Sequence, residues 1–489
     1  MGNLKQQTAV GMSWSLIENI MGTGTTAIIS IILANLLTPH EVGLVGMIAI
    51  FITLSNALMD GGFSGALIRK TEAEHKDYCT VFYTNLAISI LLYAILYLTA
   101  PAVADFLNEP VLCGIIRIMG SSIIILAFSQ VQRVYFIRRL DFKTQAIIAF
   151  CASLCSGAVS IVMAVKGWGV WSLVAQLLSK QAVQSILLWL FSSWKPGLCF
   201  SVRSFREMFN FGSKLVLSSI VSAMWSEVYA FAMGKLYTPA IVGLYSRADK
   251  FKSMVTSNIG MAAQRAGYPV LSRVNDDKER QMRVYRKMVR STTLVISTLV
   301  SGLIATAPAM VETLIGEQWL PCAEYLRILA LSGIFLPLML TAVNLFNANG
   351  NSNRTLTLEL IKTALAAIPV LAGVFVGIYA MLWAIAATTA IAYLIHLVYV
   401  SKEVECSVLQ QVKDILPFLL ISAVMGCAVY AIEYFTAELP IAPLPLLLVQ
   451  VATGAVLTLL LYEFVYNCEE YREMKSFVLS VICRRKSSI

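Results

Sequence analysis

Long apolar runs separated by short polar connections form the hydropathy pattern of this 489-residue chain. A helix that crosses the ~30 Å hydrocarbon layer of a bilayer needs roughly 20 predominantly apolar residues, and about 14 runs reach that length. The pattern therefore predicts an all-α, polytopic membrane protein with about 14 transmembrane helices. The predicted spans are residues 15–37, 43–67, 78–104, 111–134, 144–165, 169–193, 208–235, 243–265, 288–311, 322–347, 355–376, 378–400, 413–435 and 442–466.

Lysine and arginine alternate with these predicted spans. They are concentrated in the connections after spans 2, 4, 6 and 8 and in the C-terminal tail, whereas the connections after the odd-numbered spans hold only Lys166 and Lys235. Because Lys and Arg accumulate in cytoplasmic loops, both termini are expected in the cytoplasm. An even number of spans agrees with that orientation.

Composition removes several other classes of protein. The chain is 58% hydrophobic and 13% charged, against about 25% charged residues in an average soluble domain. The positive-inside rule accounts for the net charge of +9, so no nucleic-acid partner is expected. The ten cysteines are scattered, and the three histidines show no metal-ligand spacing. No metal, cofactor or P-loop for ATP is therefore predicted.

A short motif recurs 200 positions along the chain. Thr38-Pro39 and Val42-Gly43-Leu44 are repeated as Thr238-Pro239 and Val242-Gly243-Leu244. We interpret Thr-Pro as the end of one helix and Val-Gly-Leu as the start of the next. Similar pairs follow at slightly larger offsets: Ala100-Pro101-Ala102-Val103 with Ala307-Pro308-Ala309-Met310, Arg117-Ile118 with Arg327-Ile328, and Phe136 with Phe346.

These pairs make spans 1–6 equivalent to spans 7–12. Since six is even, the two halves share one topology, and their pseudo-twofold axis is expected along the membrane normal. The predicted domains are an N-terminal six-helix bundle (1–193), a cytoplasmic linker (194–207), a C-terminal six-helix bundle (208–400), and helices 13–14 with a cytoplasmic tail (401–489).

Six further motifs occur in order along the chain: Gly61–Arg69, Phe136–Lys143, Gly167–Val174, Gly243–Ala248, Tyr268–Arg273 and Gly316–Pro321. With these motifs the chain resembles the Wzx-type polysaccharide (lipid-linked oligosaccharide) flippases. They are the colanic-acid-exporter-like branch of the multidrug/oligosaccharidyl-lipid/polysaccharide (MOP) superfamily. The resemblance implies two six-helix bundles around a central cavity. It also implies transfer of an undecaprenyl-pyrophosphate-linked oligosaccharide from the inner to the outer leaflet of the bacterial inner membrane.

For the partners, the resemblance implies the lipid-linked oligosaccharide and membrane lipids, with a polysaccharide polymerase and glycosyltransferases as candidate protein partners of a monomeric chain. The glycan could belong to O-antigen, capsule or exopolysaccharide biosynthesis.

A pyrophosphate headgroup in hydrocarbon is prohibitively costly, so its passage requires a hydrated, cationic cavity. Lys180 shares one helix face with Gln176 and Gln184, which are each four residues away. Arg247 and Lys250 share a face of the eighth span, where a guanidinium fork and an ammonium suit phosphate oxygens. The repeat-related Arg117 and Arg327 complete the candidate set. For each residue the alternative is structural: local pairing, snorkelling to the interface, or shared architecture.

Three acidic residues are candidates for binding a coupling ion. Glu227 lies near the middle of the seventh span, Glu18 in the first and Asp60 in the second. A buried carboxylate could bind a proton or Na⁺, or it could neutralise a nearby cation.

Two functions are alternatives to the flippase: an exporter of small molecules and a membrane enzyme. A cation-coupled exporter of small amphipathic molecules would need an acidic, aromatic cavity, whereas spans 6 and 8 offer Lys180, Arg247 and Lys250. A membrane enzyme such as a glycan polymerase or ligase would need catalytic residues on a sizeable loop, and no connection is long enough. The sequence therefore predicts a transporter without enzymatic activity.

Overall fold

The computed structural model describes residues 22, 24–60, 62–70, 72–436 and 442–486, and the regular structure in these ranges is helical. This confirms the all-α, membrane-spanning fold class. The chain divides into two compact units, Met1–Gly243 and Leu244–Ile489. The domain boundaries expected from the sequence stay a prediction.

The described part of the first unit contains eight helices and the start of a ninth. They are α1 (Gly24–Leu36), α2 (Pro39–Asp60), α3 (Phe63–Arg69), α4 (His75–Leu107), α5 (Val111–Arg138), α6 (Phe142–Val165), α7 (Val170–Phe191), α8 (Val202–Leu236) and the first residues of α9 (Pro239–Ser272).

The second unit continues α9 and adds the remaining helices described. They are α10 (Lys278–Ala305), α11 (Ala307–Ile315), a 3₁₀ turn (Glu317–Trp319), α12 (Pro321–Gly333), α13 (Phe335–Ala348), α14 (Ser352–Leu365), α15 (Ala367–Phe375), α16 (Ile378–Val404), α17 (Val408–Thr436), α18 (Pro443–Leu460), a π-helical turn (Leu461–Val465) and α19 (Glu469–Lys486).

Among the described residues, 11 helical stretches are long and apolar enough to cross a membrane. Each coincides with a predicted span. The three other predicted spans also fall on helices: α1, α8 and α9. In α9 the charged residues Arg247, Asp249, Lys250 and Lys252 reduce the hydropathy. The total of 14 spans stays a prediction.

Several helices are capped at their N-terminus by a polar side chain. Asp141, Ser201 and Asp277 each accept a hydrogen bond from the backbone N–H three residues later, at 3.1, 3.2 and 2.9 Å. An N-cap oxygen of this kind satisfies one of the free N–H groups of the first turn. These caps fix the entry points of α6, α8 and α10.

The prediction for the recurring Thr-Pro motif was wrong about where the helices begin. Helices α2 and α9 start at Pro39 and Pro239 themselves, and Val-Gly-Leu lies within their first turns. Proline suits the first helical position because its missing N–H would have no intrahelical partner there. Glu41 strengthens the first copy: its carboxylate accepts from the Thr38 N–H at 2.8 Å, and its own N–H donates to the Thr38 hydroxyl at 3.4 Å.

Helices α2 and α8 pack closely along their length inside the first unit. Near one end, a Cβ on Gly234 would stand 2.8 Å from Met47 Cγ. Towards the other, Gly62 has a φ of 68°, and a Cβ there would stand 2.6 Å from the Gly212 carbonyl oxygen. Small residues allow this approach, which is typical of helix contacts in membranes.

Equivalent positions of the two repeats differ in one helix. Pro101 lies inside the continuous α4, whereas its counterpart Pro308 follows an interruption at Thr306 between α10 and α11. The repeat-related Phe136 and Phe346 are both buried. The halves therefore share core positions but not every helix boundary.

Candidate functional site

The polar face of α7 lies within the first unit. Lys180 is near the middle of this helix, and Gln176 and Gln184 are one turn away on either side. All three residues are partly buried. Helix α7 packs against α2, α5 and α6. The predicted stripe of one ammonium and two amides is thus a continuous face of one helix.

In the second unit, Arg247 packs against Trp319. Its guanidinium carbon lies 5.4 Å from the centroid of the indole ring. Arg247 is 9% exposed and Trp319 is fully buried. The electrons of the ring face attract the cation and offset part of its desolvation. This contact joins two of the motifs that carry the family resemblance.

The cations of α9 differ in their surroundings, although helical spacing places Arg247 and Lys250 on one face. Lys252 is buried, and its Nζ lies 2.5 Å from a carboxylate oxygen of Asp249. Lys250 is exposed. Arg247 and Lys250 therefore do not share one environment: the first is buried against an aromatic ring and the second is accessible.

The repeat-related Arg117 and Arg327 make closely similar contacts, each within its own unit. Each donates its Nε–H to a backbone carbonyl of the preceding long helix, Tyr97 at 3.4 Å and Ile304 at 3.2 Å. Arg117 also stacks on the Tyr97 ring, with its guanidinium carbon 4.3 Å from the centroid.

Arg327 has one partner with no equivalent among the described residues of the first unit. Its Nη2 lies 2.8 Å from each carboxylate oxygen of Glu433, on α17. Glu433 is not among the site residues predicted from the sequence. Its position inside the predicted span 413–435 is the sequence feature that could have identified it as a partner for a buried cation.

The acidic candidates have different surroundings. The Asp60 carboxylate accepts hydrogen bonds from the Ser64 hydroxyl and from the Gln130 amide, the latter at 3.0 Å. Glu227, on α8, lies 3.5 Å from the Ser226 hydroxyl that donates to it. Glu18 lies outside the described residues. Gln130, which links α5 to Asp60, was also missed, because hydropathy does not show which helix faces meet.

An apolar cavity of about 540 Å³ lies among α9, α10, α17 and α18 of the second unit. Gln450 lines it, and both polar atoms of that fully buried side chain lack a hydrogen-bond partner. Gly302, also on the wall, has open space around its Cα, since a Cβ there would meet nothing within 4 Å.

Among the described residues, one close group of potential metal ligands occurs, formed by His75, Cys79 and Cys199 of the first unit. The group could not be predicted from spacing along the sequence, because Cys199 is 120 positions from Cys79.

A known protein family matches a large part of the chain. The model described as "Polysaccharide biosynthesis protein" matches residues 32–324, which is more than half of the chain.

Curated relatives cover different shares of the chain. The teichuronic acid biosynthesis protein TuaB of Bacillus subtilis (strain 168) is 23% identical over 470 residues, which is 95% of this chain and 97% of TuaB. The succinoglycan biosynthesis transport protein ExoT of Rhizobium meliloti (strain 1021) is 25% identical over 67% of this chain and 66% of ExoT. The lipopolysaccharide biosynthesis protein WzxC of Escherichia coli (strain K12) is 22% identical over 68% of each chain.

Solved structures share the fold. The lipid II flippase MurJ in an inward closed conformation superposes with a TM-score of 0.74 at 14% identity, covering 94% of this chain and 99% of MurJ. An inward-facing multidrug resistance MATE transporter of the MOP superfamily superposes with a TM-score of 0.63 at 17% identity, covering 81% of this chain and 98% of the transporter.

Proposed function

This chain belongs to the polysaccharide biosynthesis protein family, and from that premise we propose that it is a flippase for a lipid-linked oligosaccharide. It would move an undecaprenyl-pyrophosphate-linked glycan from the inner to the outer leaflet of the bacterial inner membrane by alternating access. The family match over residues 32–324 carries the proposal. The biosynthesis and transport names of the relatives and the fold shared with MurJ support it.

The substrate headgroup needs cations that water and phosphate can reach. Lys180, with Gln176 and Gln184 beside it, offers one ammonium and two amides on a partly exposed helix face. Lys250 offers a second, exposed ammonium. These side chains suit phosphate oxygens and sugar hydroxyls. We propose that each of these side chains, within its own unit, is available to contact the headgroup.

The arginines of the candidate set receive a supporting role in this proposal. Arg247 is stacked on Trp319, and Arg327 is paired with Glu433, so neither guanidinium is fully available to a ligand. Arg117 contacts Tyr97 in a similar way. The positive charges of Arg117 and Arg247 would still favour an anionic headgroup at short range, whereas Glu433 neutralises the charge of Arg327.

The lipid tail requires no polar surroundings. The apolar cavity of about 540 Å³ among membrane helices of the second unit fits part of a polyprenyl chain. A tail in this cavity would let the glycan and pyrophosphate move while the hydrocarbon remains in an apolar environment. Asp60, Glu227 and Glu18 remain the candidates for a coupling ion.

The remaining parts of the proposal follow the charge pattern and the family. Both termini would lie in the cytoplasm, and the protein would act as a monomer that receives its substrate from glycosyltransferases and supplies a polymerase. No step in this scheme forms or breaks a covalent bond, so the chain is assigned no enzymatic activity.

Complementation of a bacterial strain that lacks its own flippase for the cognate glycan tests the proposal. The unmodified chain should restore surface polysaccharide, and Lys180→Ala and Lys250→Ala should each reduce export at unchanged protein level. Lys166→Ala is the matched control, since Lys166 is an exposed lysine next to α7. Full export by the Lys180→Ala, Lys250→Ala double variant would overturn the headgroup assignment.

A second readout distinguishes the flippase from an exporter of small molecules. Loss of the protein should cause lipid-linked oligosaccharide to accumulate in the inner leaflet. Unchanged glycan export, together with increased sensitivity to cationic drugs, would instead favour the exporter.

A further inference from the structure

A histidine and two cysteines meet where the segment between α7 and α8 crosses the start of α4. His75 is the first residue of α4, Cys79 lies one turn further along, and Cys199 belongs to the connecting segment. One ligand atom from each side chain lies within 4.8 Å of the other two. We propose that these three residues form a Zn²⁺ site that fastens the connecting segment to α4.

The donor set fits zinc in type and charge. Thiolate sulfur and imidazole nitrogen are the usual ligands of protein-bound Zn²⁺, and three protein ligands leave a fourth position for water. Two thiolates and a neutral imidazole balance the charge of the ion. A site of this kind can lie near the membrane edge without adding net charge.

The spacing of the three ligand atoms is compatible with one zinc ion. Tetrahedral Zn–S bonds of about 2.3 Å and Zn–N bonds of about 2.0–2.1 Å place a nitrogen and a sulfur about 3.6 Å apart and two sulfur atoms about 3.8 Å apart. His75 Nε2 and Cys79 Sγ lie 3.3 Å apart, and each ligand atom of the group lies within 4.8 Å of the other two. His75 is exposed while Cys79 is buried. An ion can therefore reach the site from the solvent side and find one thiol below the surface.

Contacts in the connecting segment hold Cys199 in place before any ion binds. The Gly197 N–H donates to Cys79 Sγ at 3.3 Å, and the Ser201 N–H donates to the Thr80 hydroxyl at 3.0 Å. A Cβ on Gly197 would stand 3.0 Å from His75 Nε2, so a glycine is needed for this close approach. A site assembled in advance loses less conformational entropy when it binds a ligand.

One neighbour of the site competes with the metal. The Trp194 Nε1–H donates to His75 Nδ1 at 3.2 Å, so Nδ1 is the acceptor and Nε2 carries the ring proton. A metal ion on Nε2 requires the other tautomer of the neutral ring, with the proton on Nδ1. Zinc binding must therefore break the Trp194 hydrogen bond, and the indole becomes a reporter of the event.

Metal analysis of the purified full-length protein in detergent, kept reduced, is the first test. After incubation with Zn²⁺ and removal of the excess, we expect one zinc per chain. Co²⁺ should give a thiolate-to-cobalt charge-transfer band. Cys79→Ser and Cys199→Ser should abolish both signals, and His75→Asn should weaken zinc affinity by more than about tenfold.

The matched control is Cys155→Ser. Cys155 lies four residues after Cys151 on α6, so the pair has the same helical spacing as His75 and Cys79, but the described residues place no third potential ligand close to both. This variant should bind zinc as the unmodified chain does. Zinc at background level, or zinc retained in the Cys79→Ser, Cys199→Ser double variant, would overturn the proposal.

A measurement on the unmodified chain guards against variants that fail to fold. Zn²⁺ should slow alkylation of Cys79 and Cys199 by iodoacetamide more than about tenfold, as followed by mass spectrometry, and should leave Cys151 and Cys155 unaffected. Equal alkylation rates with and without zinc would contradict the site.

Trp194→Phe should raise zinc affinity, because it removes the competing hydrogen bond, and an unchanged affinity would contradict the assigned tautomer. These outcomes do not depend on glycan export.

Discussion

Gly43 and Pro239 are in direct backbone contact: a Cβ built on Gly43 would stand 1.7 Å from the Pro239 carbonyl oxygen. The relationship is reciprocal, since a Cβ on Gly243 would stand 1.9 Å from the Pro39 carbonyl oxygen. The two copies of the Thr-Pro…Val-Gly-Leu motif therefore pack against each other at the starts of α2 and α9. Only a residue without a side chain fits at either glycine.

Alanine at Gly43 or Gly243 should destabilise the protein. A methyl group at either position forces the two backbones apart, and overpacking of this kind costs about 1–3 kcal/mol. The melting temperature of the purified protein in detergent measures the effect. Gly24→Ala is the control, since a Cβ at that helical position meets nothing within 4 Å. Equal melting temperatures for Gly43→Ala and Gly24→Ala would contradict the contact.

Removing Glu433 should destabilise the second unit by leaving Arg327 with one charge unmatched. Loss of one partner of a buried ion pair costs about 3–5 kcal/mol. About a quarter of each side chain is exposed to solvent. After allowance for solvent screening, we therefore expect the free energy of unfolding to fall by about 2 kcal/mol.

A double-mutant cycle with Arg327→Ala and Glu433→Ala measures the coupling between the two side chains. Arg117→Ala is the matched control. Arg117 makes the equivalent backbone contact, and the described residues around it hold no counterpart of Glu433. Additive losses of stability in the cycle would show that the pair contributes nothing.

Arg138→Ala should weaken the end of α3. The Arg138 guanidinium donates to the Leu67 carbonyl and, at 2.6 Å, to the Lys70 carbonyl, both at the C-terminus of that helix. Hydrogen bonds from a charged donor contribute about 1.5–3 kcal/mol.

Arg139→Ala removes the same charge from the neighbouring position and serves as the control. Arg139 is exposed and stacks on Tyr135, with its guanidinium carbon 4.2 Å from the ring centroid. Its removal should cost about 0.5–1 kcal/mol. Thermal unfolding measures the loss of stability in both variants, and a larger loss of stability for Arg139→Ala than for Arg138→Ala would contradict the prediction.

Gly302→Phe should reduce glycan export while leaving the fold intact. Gly302 lines the apolar cavity of about 540 Å³ in the second unit, and a Cβ there would meet nothing within 4 Å, so we expect the cavity to accept an added side chain. If the cavity takes up the lipid tail, the ring occupies the same volume. Gly302→Ala, which adds one methyl group, is the control. Export is measured by complementation, and undiminished export by Gly302→Phe would contradict the assignment of the cavity.

The positions of the helices could be predicted because the bilayer imposes a length and a composition on each span. The ends were less predictable where polar residues continue a helix beyond the apolar run. The span predicted at 288–311 crosses the interruption at Thr306, so it covers the end of α10 and the start of α11. Helix α10 itself begins at Lys278, because the charged turns before the apolar run are also helical and are capped by Asp277.

The partners of the site residues could not be predicted from the sequence. Helical spacing places Arg247 and Lys250 on one face, but it does not show that Trp319, 72 residues further along, covers the first and not the second. Similarly, the repeat pairs Arg117 with Arg327 and contains no equivalent of Glu433. Such contacts depend on how distant helices pack, which a single sequence leaves open.

The reciprocal glycine contact also bears on how the repeat can change. As in an isologous dimer interface, each copy of the motif is the binding surface of the other. A substitution at Gly43 or Gly243 therefore alters the surroundings of the other copy, whereas positions outside this contact differ between the copies, as Glu41 and Ile241 do. The glycine that residues 38–44 and 238–244 have in common is then more than a trace of duplication, because each glycine fits the backbone of the other copy.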